Sequence, residues 1–333
     1  MADDPKQAAV GIAEDLLFPH AAEIDSAPVV PRAYLDALAE AGLYGLFGPL
    51  DRGGFDADPL TAGRVVEALG GASLVTAFVW IQHHSPVRAM AGAGPTQRDR
   101  WLEPLCRGRV RSGIAYAALR RPGAPTAVAA AGPQGSWVVD GHAPWVTGWG
   151  LVDVVLAGAR AGDDVVWVWL DAVAGPASTV TPVRLDALDA SATVRWEWHG
   201  LSVPASRVVG IEPFADWQQR DTAGRQLNGY LAVGVAARCA RLLGRSGLDD
   251  AVRAARSGLD AATPSTVAAA RAEASLLAAR AATALVAAGG GRSVESGQPA
   301  ARLLREAMFL LVFGQTRDIR DRQRAALGAQ PVD

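Results

Sequence analysis

Two adjacent histidines, His83 and His84, are the side chains in this sequence best suited to moving a proton near neutral pH, because imidazole titrates there without help from its surroundings. A helix histidine is more often a core or rim residue, so the pair reads either way. Asp221 and Arg225 stand four residues apart, which on a helix puts them on about the same face. There the carboxylate can act as a base or remain a solvated helix residue. Arg120 and Arg121 precede Pro122-Gly123 and bring two fixed charges to a turn, where they meet a phosphate or simply solvent. His20, His142 and His199 are scattered, with no metal-ligand spacing. No Gly-x-Gly-x-x-Gly follows a strand, and there is no P-loop and no Gly-x-Ser-x-Gly elbow.

These residues need a scaffold, and the composition is that of a folded chain with a large core. Half of the 333 residues are hydrophobic, 20% are charged and the formal net charge is -2. That argues against disorder and against an electrostatic nucleic-acid binder. Two cysteines, Cys106 and Cys239, cannot form a disulfide framework, so the expected compartment is a reducing cytoplasm. Residues 278–291 are strongly apolar but interrupted by Arg280, and no membrane span is expected. Ten tryptophans against four tyrosines are an unusual ratio.

Three zones follow in order. Residues 1–108 have helical periodicity, with runs expected at 62–70 and 73–91 and a third at about 97–105 capped by Thr96. Residues 109–212 carry short β-branched and aromatic segments near 136–141, 152–158, 164–170 and 194–200, bounded by Gly, Asp and Pro, which predict a compact β domain. Alternation puts Trp167 and Trp169 on one sheet face, and Trp196 and Trp198 likewise. Packing is the favoured role for both pairs, and an exposed face covering a ligand or partner is the alternative. Residues 213–333 return to helix, with runs expected at 216–245, 249–256, 265–288 and 299–326.

Helical, β and helical zones in that order resemble the acyl-CoA dehydrogenase family of flavoproteins. Several motifs carry the likeness. Leu38-Ala-Glu-Ala-Gly-Leu-Tyr-Gly-Leu looks like the family's first-domain helix and turn, and Gly94-Pro-Thr-Gln-Arg-Asp-Arg-Trp-Leu-Glu-Pro-Leu-Cys-Arg-Gly like the lead into its β domain. Leu119-Arg-Arg-Pro-Gly-Ala sits where the family has Leu-Thr-Glu-Pro-Gly-Ala. Trp145-Val-Thr-Gly is similar to its Trp-Ile-Thr-Asn. Leu201-Ser-Val-Pro-Ala-Ser-Arg-Val-Val-Gly resembles the exit from the β domain, and Pro299-Ala-Ala-Arg-Leu-Leu-Arg-Glu-Ala followed by Phe313-Gly-Gln-Thr the final-helix motif. The resemblance implies an α+β multidomain fold: an N-terminal α-helical domain, a central β-barrel-like domain and a C-terminal α-helical bundle. It also implies FAD as cofactor, an acyl-CoA or carrier-bound acyl substrate, an electron-accepting flavoprotein partner, and a homo- or hetero-oligomer built through the C-terminal helices.

Site residues follow from the same resemblance. Trp145 would wall the flavin ring and Thr147 would bond its polar edge, as a flavin needs an aromatic wall and a few fixed polar groups. Arg256 would take the pyrophosphate, since a guanidinium pairs bidentately with phosphate oxygens. However, Leu259-Asp260 replaces the Phe-Gly expected after it. Gly290 and Gly291 belong to the expected glycine cluster, and Thr316 matches a threonine near the cofactor.

The family removes a proton α to a thioester with a glutamate, at one of two positions. Here these are Gly314 and Gly224, the latter just before the active-site arginine Arg225. Glycine cannot accept a proton. Three explanations stand open: a base supplied by a second, related polypeptide; a substitute acid, Asp221 or Asp318; or a flavin monooxygenase or oxidase reaction that needs no such base. His83 and His84 bear on the third, because related monooxygenases use a histidine in this region for proton handling. A non-catalytic structural subunit is a fourth reading.

Overall fold

The structure is a computed structural model that describes residues 4–244 and 247–329, without the side chain of Ala223. The N-terminal zone folds into α1 (Pro5–Gly11), a π-helical turn at Ile12–Leu17, α2 (Ala21–Ser26), α3 (Arg32–Glu40), α4 (Pro59–Ala72), α5 (Leu74–Ile81), α6 (His84–Ala91) and α7 (Pro95–Cys106). Local chemistry fixes several of the ends. Asp58 accepts from the amides of Leu60 and Thr61 and caps α4, and Pro59 fills its first turn. Helix α7 starts on Gly94 and Pro95, so the expected cap at Thr96 is corrected to two residues earlier.

The single helix expected over 73–91 is broken at Gln82–His83, between α5 and α6. Pro86 explains the break. In a continuous helix its ring would clash with the carbonyl of residue 82 and leave a gap in the ladder, whereas in the first turn of α6 neither cost arises. The break is what sends His83 and His84 to different places.

The β zone holds β1 (Ser112–Ala115), β2 (Ala127–Ala131), β3 (Trp137–Val146), β4 (Val154–Ala161), β5 (Asp164–Asp171), β6 (Ser178–Pro182), β7 (Val194–Val203) and β8 (Val208–Pro213). The sequence pattern found β3, β4, β5 and β7. The other four are short and lack an apolar alternation. Strand order is β6-β7-β3-β2-β4-β5-β8, with β1 parallel to β4. Only the bridge between Val128 and Arg160 joins β2 to β4. The two halves close over one core that takes Val166 and Val168 from β5 and Trp196 and Trp198 from β7. Alternation turns Trp167 and Trp169 to the other face of β5, where they pack with Val87, Leu102 and Leu105 of α6 and α7. Both tryptophan pairs are buried.

The last zone contains α8 (Phe214–Gly224), α9 (Gln226–Leu243), α10 (Leu248–Asp260), α11 (Val267–Gly289), α12 (Pro299–Val312) and α13 (Arg317–Ala326). Two expected long helices are therefore each split, at Arg225 and at 313–316, and Arg245 lies outside the described residues. Gly314 has φ +58°, a left-handed conformation that stops α12. The N- and C-terminal helices share one core. Helices α4 and α9 approach so closely that a Cβ on Gly71 would lie 2.5 Å from the Gly234 carbonyl oxygen. Residues 267–294 are long and apolar enough in composition to cross a membrane, with mean hydropathy 1.3 over their most apolar 18-residue window. Here they pack against α9 and α12, and α11 carries Arg271 into the bundle.

Candidate active site

One cavity of about 2140 Å³ lies where the β zone meets the helices. A single small-molecule site commonly occupies 300–1,000 Å³, so this space can hold a large cofactor and a substrate together. Its wall takes Phe78, His84 and Arg88 from α5 and α6, Tyr116, Trp145, Thr147 and Thr193 from the β zone, and Trp217, Asp221, Arg225 and Asn228 from α8 and α9. Phe309, Phe313, Gly314 and Thr316 close it from the C-terminal side. Nine arginines line it against four carboxylates, although the whole chain carries a net charge of -2. The lining is therefore net cationic.

Trp145 is 43% exposed, the one tryptophan among the exposed large apolar residues. The pairing of β3 with β7 shifts register between Ala143 and Val146, at Pro144, which has no amide to donate. A bulge of this kind re-aims side chains, and here it leaves the indole facing open space. Thr147 is buried beside it, its hydroxyl 3.2 Å from that of Thr193, which lies 2.8 Å from the Ser191 hydroxyl. Thr193 was not singled out by the sequence, because nothing in a strand-edge threonine marks it.

The two histidines part company. His83 accepts from the Ser112 amide at Nδ1 (3.0 Å), and its Nε2 lies 3.1 Å from the Leu105 carbonyl oxygen, to which it donates as the neutral tautomer. Burial pushes its pKa down to about 3, and Arg111 adds to the effect. His83 joins α6 to α7 and β1 and does not line the cavity, so its expected chemical role is corrected to a structural one. His84 lines the cavity wall, packed edge-on against Trp80 with ring centroids 4.3 Å apart, and neither ring nitrogen has a hydrogen-bond partner. Burial, with His83 and Arg88 alongside opposing a positive charge, holds its pKa well below the usual value. At neutral pH it is an uncharged imidazole with both nitrogens uncommitted.

Asp221 is not an available base. Arg120 grips it through Nε at 2.9 Å and Nη2 at 2.6 Å, and Arg225 adds Nη2 at 3.1 Å. Burial alone would raise its pKa, but these guanidiniums outweigh that and hold it below the usual carboxylate value. Arg120, which stands where the resemblance leads one to expect threonine, thus ties the β zone to α8. Asp318 is exposed and lies off the cavity wall. Gly224 is exposed, and a Cβ there would meet nothing within 4 Å.

The expected phosphate contacts are spread out. Thr316 lines the cavity, and its hydroxyl also caps α13 by accepting from the Ile319 amide at 3.5 Å. Arg256 lies off the cavity wall and is paired bidentately with Glu67 at 2.6 and 2.9 Å. Asp260, one turn on, accepts from Arg64 and from the Tyr230 hydroxyl, fastening α10 to α4 and α9. Gly290 and Gly291 are exposed and also lie outside the lining. The cationic wall of the cavity comes from other residues, among them Arg184, Arg317 and Arg320. Among the described residues no cluster of His, Cys, Asp and Glu could hold a metal. Burial pushes the Cys106 and Cys239 thiols up to about 11 and 12, so neither is a nucleophile at neutral pH.

Comparison with known proteins agrees with this architecture. The sequence profile of the acyl-CoA dehydrogenase N-terminal domain matches residues 4–109. No curated protein matches the chain. Among solved structures, butyryl-CoA dehydrogenase from Megasphaera elsdenii superposes with TM-score 0.82 at 20% identity, over 98% of this chain and 99% of that one. Glutaryl-coenzyme A dehydrogenase in complex with glutaryl-CoA superposes with TM-score 0.84 at 16% identity, over 98% and 95%. PigA with FAD and proline superposes with TM-score 0.83 at 18% identity, over 98% of each chain.

Proposed function

We propose that this chain, acyl-CoA dehydrogenase-like in its fold and in its N-terminal domain, is an FAD-dependent oxidoreductase. Its substrate on this reading is an acyl group held as a thioester on CoA or a carrier. The observation that carries the reading is the large cationic cavity, with an exposed indole and a buried pair of threonine hydroxyls on its wall. FAD, when bound, supplies two-electron redox chemistry. Trp145 would cover one face of its ring, and the Thr147–Thr193 hydroxyls would meet the ring's polar edge. Arg317 and Arg320 would neutralise phosphate oxygens. The FAD complex of PigA, on the same fold, supports that choice of cofactor.

The chain's own residues also define how the site departs from Cα–Cβ dehydrogenation. With Gly224 and Gly314 at the expected base positions, Asp221 gripped by two arginines and Asp318 off the cavity wall, none of the positions where a base was expected offers a free carboxylate. Either a related subunit brings the base, or the reaction needs none. Helix α12 presents an apolar stripe of Leu304, Met308 and Val312 at four-residue spacing, the last two also at the edge of the cavity, which suits assembly with another copy or with such a subunit.

A second reading, an oxygen-using flavin monooxygenase or oxidase, is favoured by His84, a residue of the cavity wall whose buried ring nitrogens have no hydrogen-bond partner. Anaerobic mixing with acyl thioesters, compared with reduction followed by oxygen, separates the two. Flavin bleaching by a thioester supports dehydrogenation, and oxygen-dependent turnover that falls in His84→Ala supports the second reading. A purified protein that stays colourless and takes up no FAD refutes both and leaves the structural-subunit role.

A further inference from the structure

Around Gly314 the protein has gathered positive charge without matching it. Arg271 is 5% exposed and spends its guanidinium on carbonyls, donating from Nη1 to Arg225 at 3.2 Å and from Nη2 to Phe313 at 2.9 Å. Among the described residues it has no carboxylate partner. Burial brings its pKa down to about 10, and the charges of Arg120 and Arg225 add to the effect. Those two arginines share the one carboxylate of Asp221. Three neighbouring guanidiniums therefore have one bonded carboxylate among them, held by two of the three, an arrangement that is costly in a partly buried space unless an anion joins it.

The space over Gly314 is where that anion fits. A Cβ built on Gly314 would have three donor nitrogens as its nearest neighbours: Asn228 Nδ2 at 3.3 Å and the two Arg271 Nη atoms at 3.6 and 3.7 Å. Asn228, Arg225, Arg120 and Gly314 all line the cavity, so a ligand can reach this point. We propose that this position seats a carboxylate carried by the substrate, so that the acyl group bears a free carboxylate in addition to its thioester. The seat itself stands on the geometry, and only its assignment to an acyl substrate rests on the function proposed above. A carrier or cofactor phosphate shares the oxyanion chemistry and is separated from a carboxylate by the test.

Two variants of the full-length protein test the seat without any turnover. Asp and Asn tolerate the left-handed backbone at residue 314 about equally, so Gly314→Asp and Gly314→Asn differ essentially in charge. The expected result at low salt is that Gly314→Asp melts above Gly314→Asn, and that malonate raises Tm in the wild type but not in Gly314→Asp. Malonate should also perturb the emission of the cavity tryptophans saturably, with an apparent Kd raised about tenfold or more in Gly314→Asp, the scale of one lost charge-assisted hydrogen bond. Equal melting of the two variants, with no malonate response in the wild type, overturns the seat. A response to inorganic phosphate as strong as that to malonate overturns its assignment to a substrate carboxylate. An intact malonate response in a protein that binds no FAD rejects the flavin reading alone, and FAD retention without a malonate response rejects this inference alone.

Discussion

Asp221→Asn removes the one carboxylate that two cavity arginines share, and its cost can be worked from the geometry. The Asp221 side chain is 8% exposed and those of Arg120 and Arg225 are 21% exposed each. Breaking a fully buried pair typically costs about 3–5 kcal/mol, because the surviving charge stays desolvated. Some solvent still reaches both guanidiniums, so the expectation sits near the lower bound, at about 2–3 kcal/mol. Urea unfolding reads it directly. With a slope of about 3 kcal/mol/M, the midpoint should fall by nearly 1 M. Arg120→Met alone should cost less, since Asp221 keeps Arg225, and the double variant should recover at least about 1 kcal/mol relative to additivity. The pH dependence has a definite sign. Because the folded pKa of Asp221 is lowered, its contribution is complete above the ordinary carboxylate value near 3.9 and is lost as pH falls below it towards the folded pKa. Asp221→Asn should lack that acid loss. A cost below about 0.5 kcal/mol, the size of an ordinary surface substitution, or strict additivity with Arg120→Met, would refute the view that this carboxylate holds the β zone to α8.

Three further outcomes are expected. His83, neutral and buried with a pKa of about 3, should make stability fall as pH drops from about 6.5 towards 3. The slope is about 1.4 kcal/mol per pH unit, and acid titration of His83→Gln should be correspondingly shallower. Trp145→Ala should leave the melting temperature nearly unchanged, since the indole is 43% exposed, while weakening FAD retention about tenfold by absorbance after gel filtration. Met308→Glu, in the middle of the α12 stripe, should shift the sedimenting species to smaller mass.

The order of the three zones was legible because each has its own hydrophobic period over tens of residues, and that signal survives errors at the ends of elements. The breaks were less visible. Pro86 sat in plain view, yet a proline in the first turn of a helix and one in its middle look alike until the start of the helix is known. Gly314 was recognised for the side chain it lacks, and its left-handed backbone only emerges once α12 is seen to stop there. Spacing found Asp221 and Arg225 on one face of the chain. It could not find their third partner, because Arg120 comes from the β zone, 101 residues away. Thr193, Tyr116 and Asn228 were missed for the same reason: each becomes a wall residue only when distant elements meet.

The two oddities at this site are physically one. A carboxylate base must be able to take up a proton, and anything that lowers its pKa works against that. Arg120 lowers the pKa of Asp221, so the residue that replaces the expected threonine also disqualifies the nearest candidate base. With glycine at the two expected base positions, the balance of charge near Gly314 has moved from anionic to cationic. On the reading proposed above, such a site suits anion binding rather than proton abstraction, which is the opposite electrostatic task. The chemistry of this protein should therefore be sought among substrates that bring a negative charge of their own.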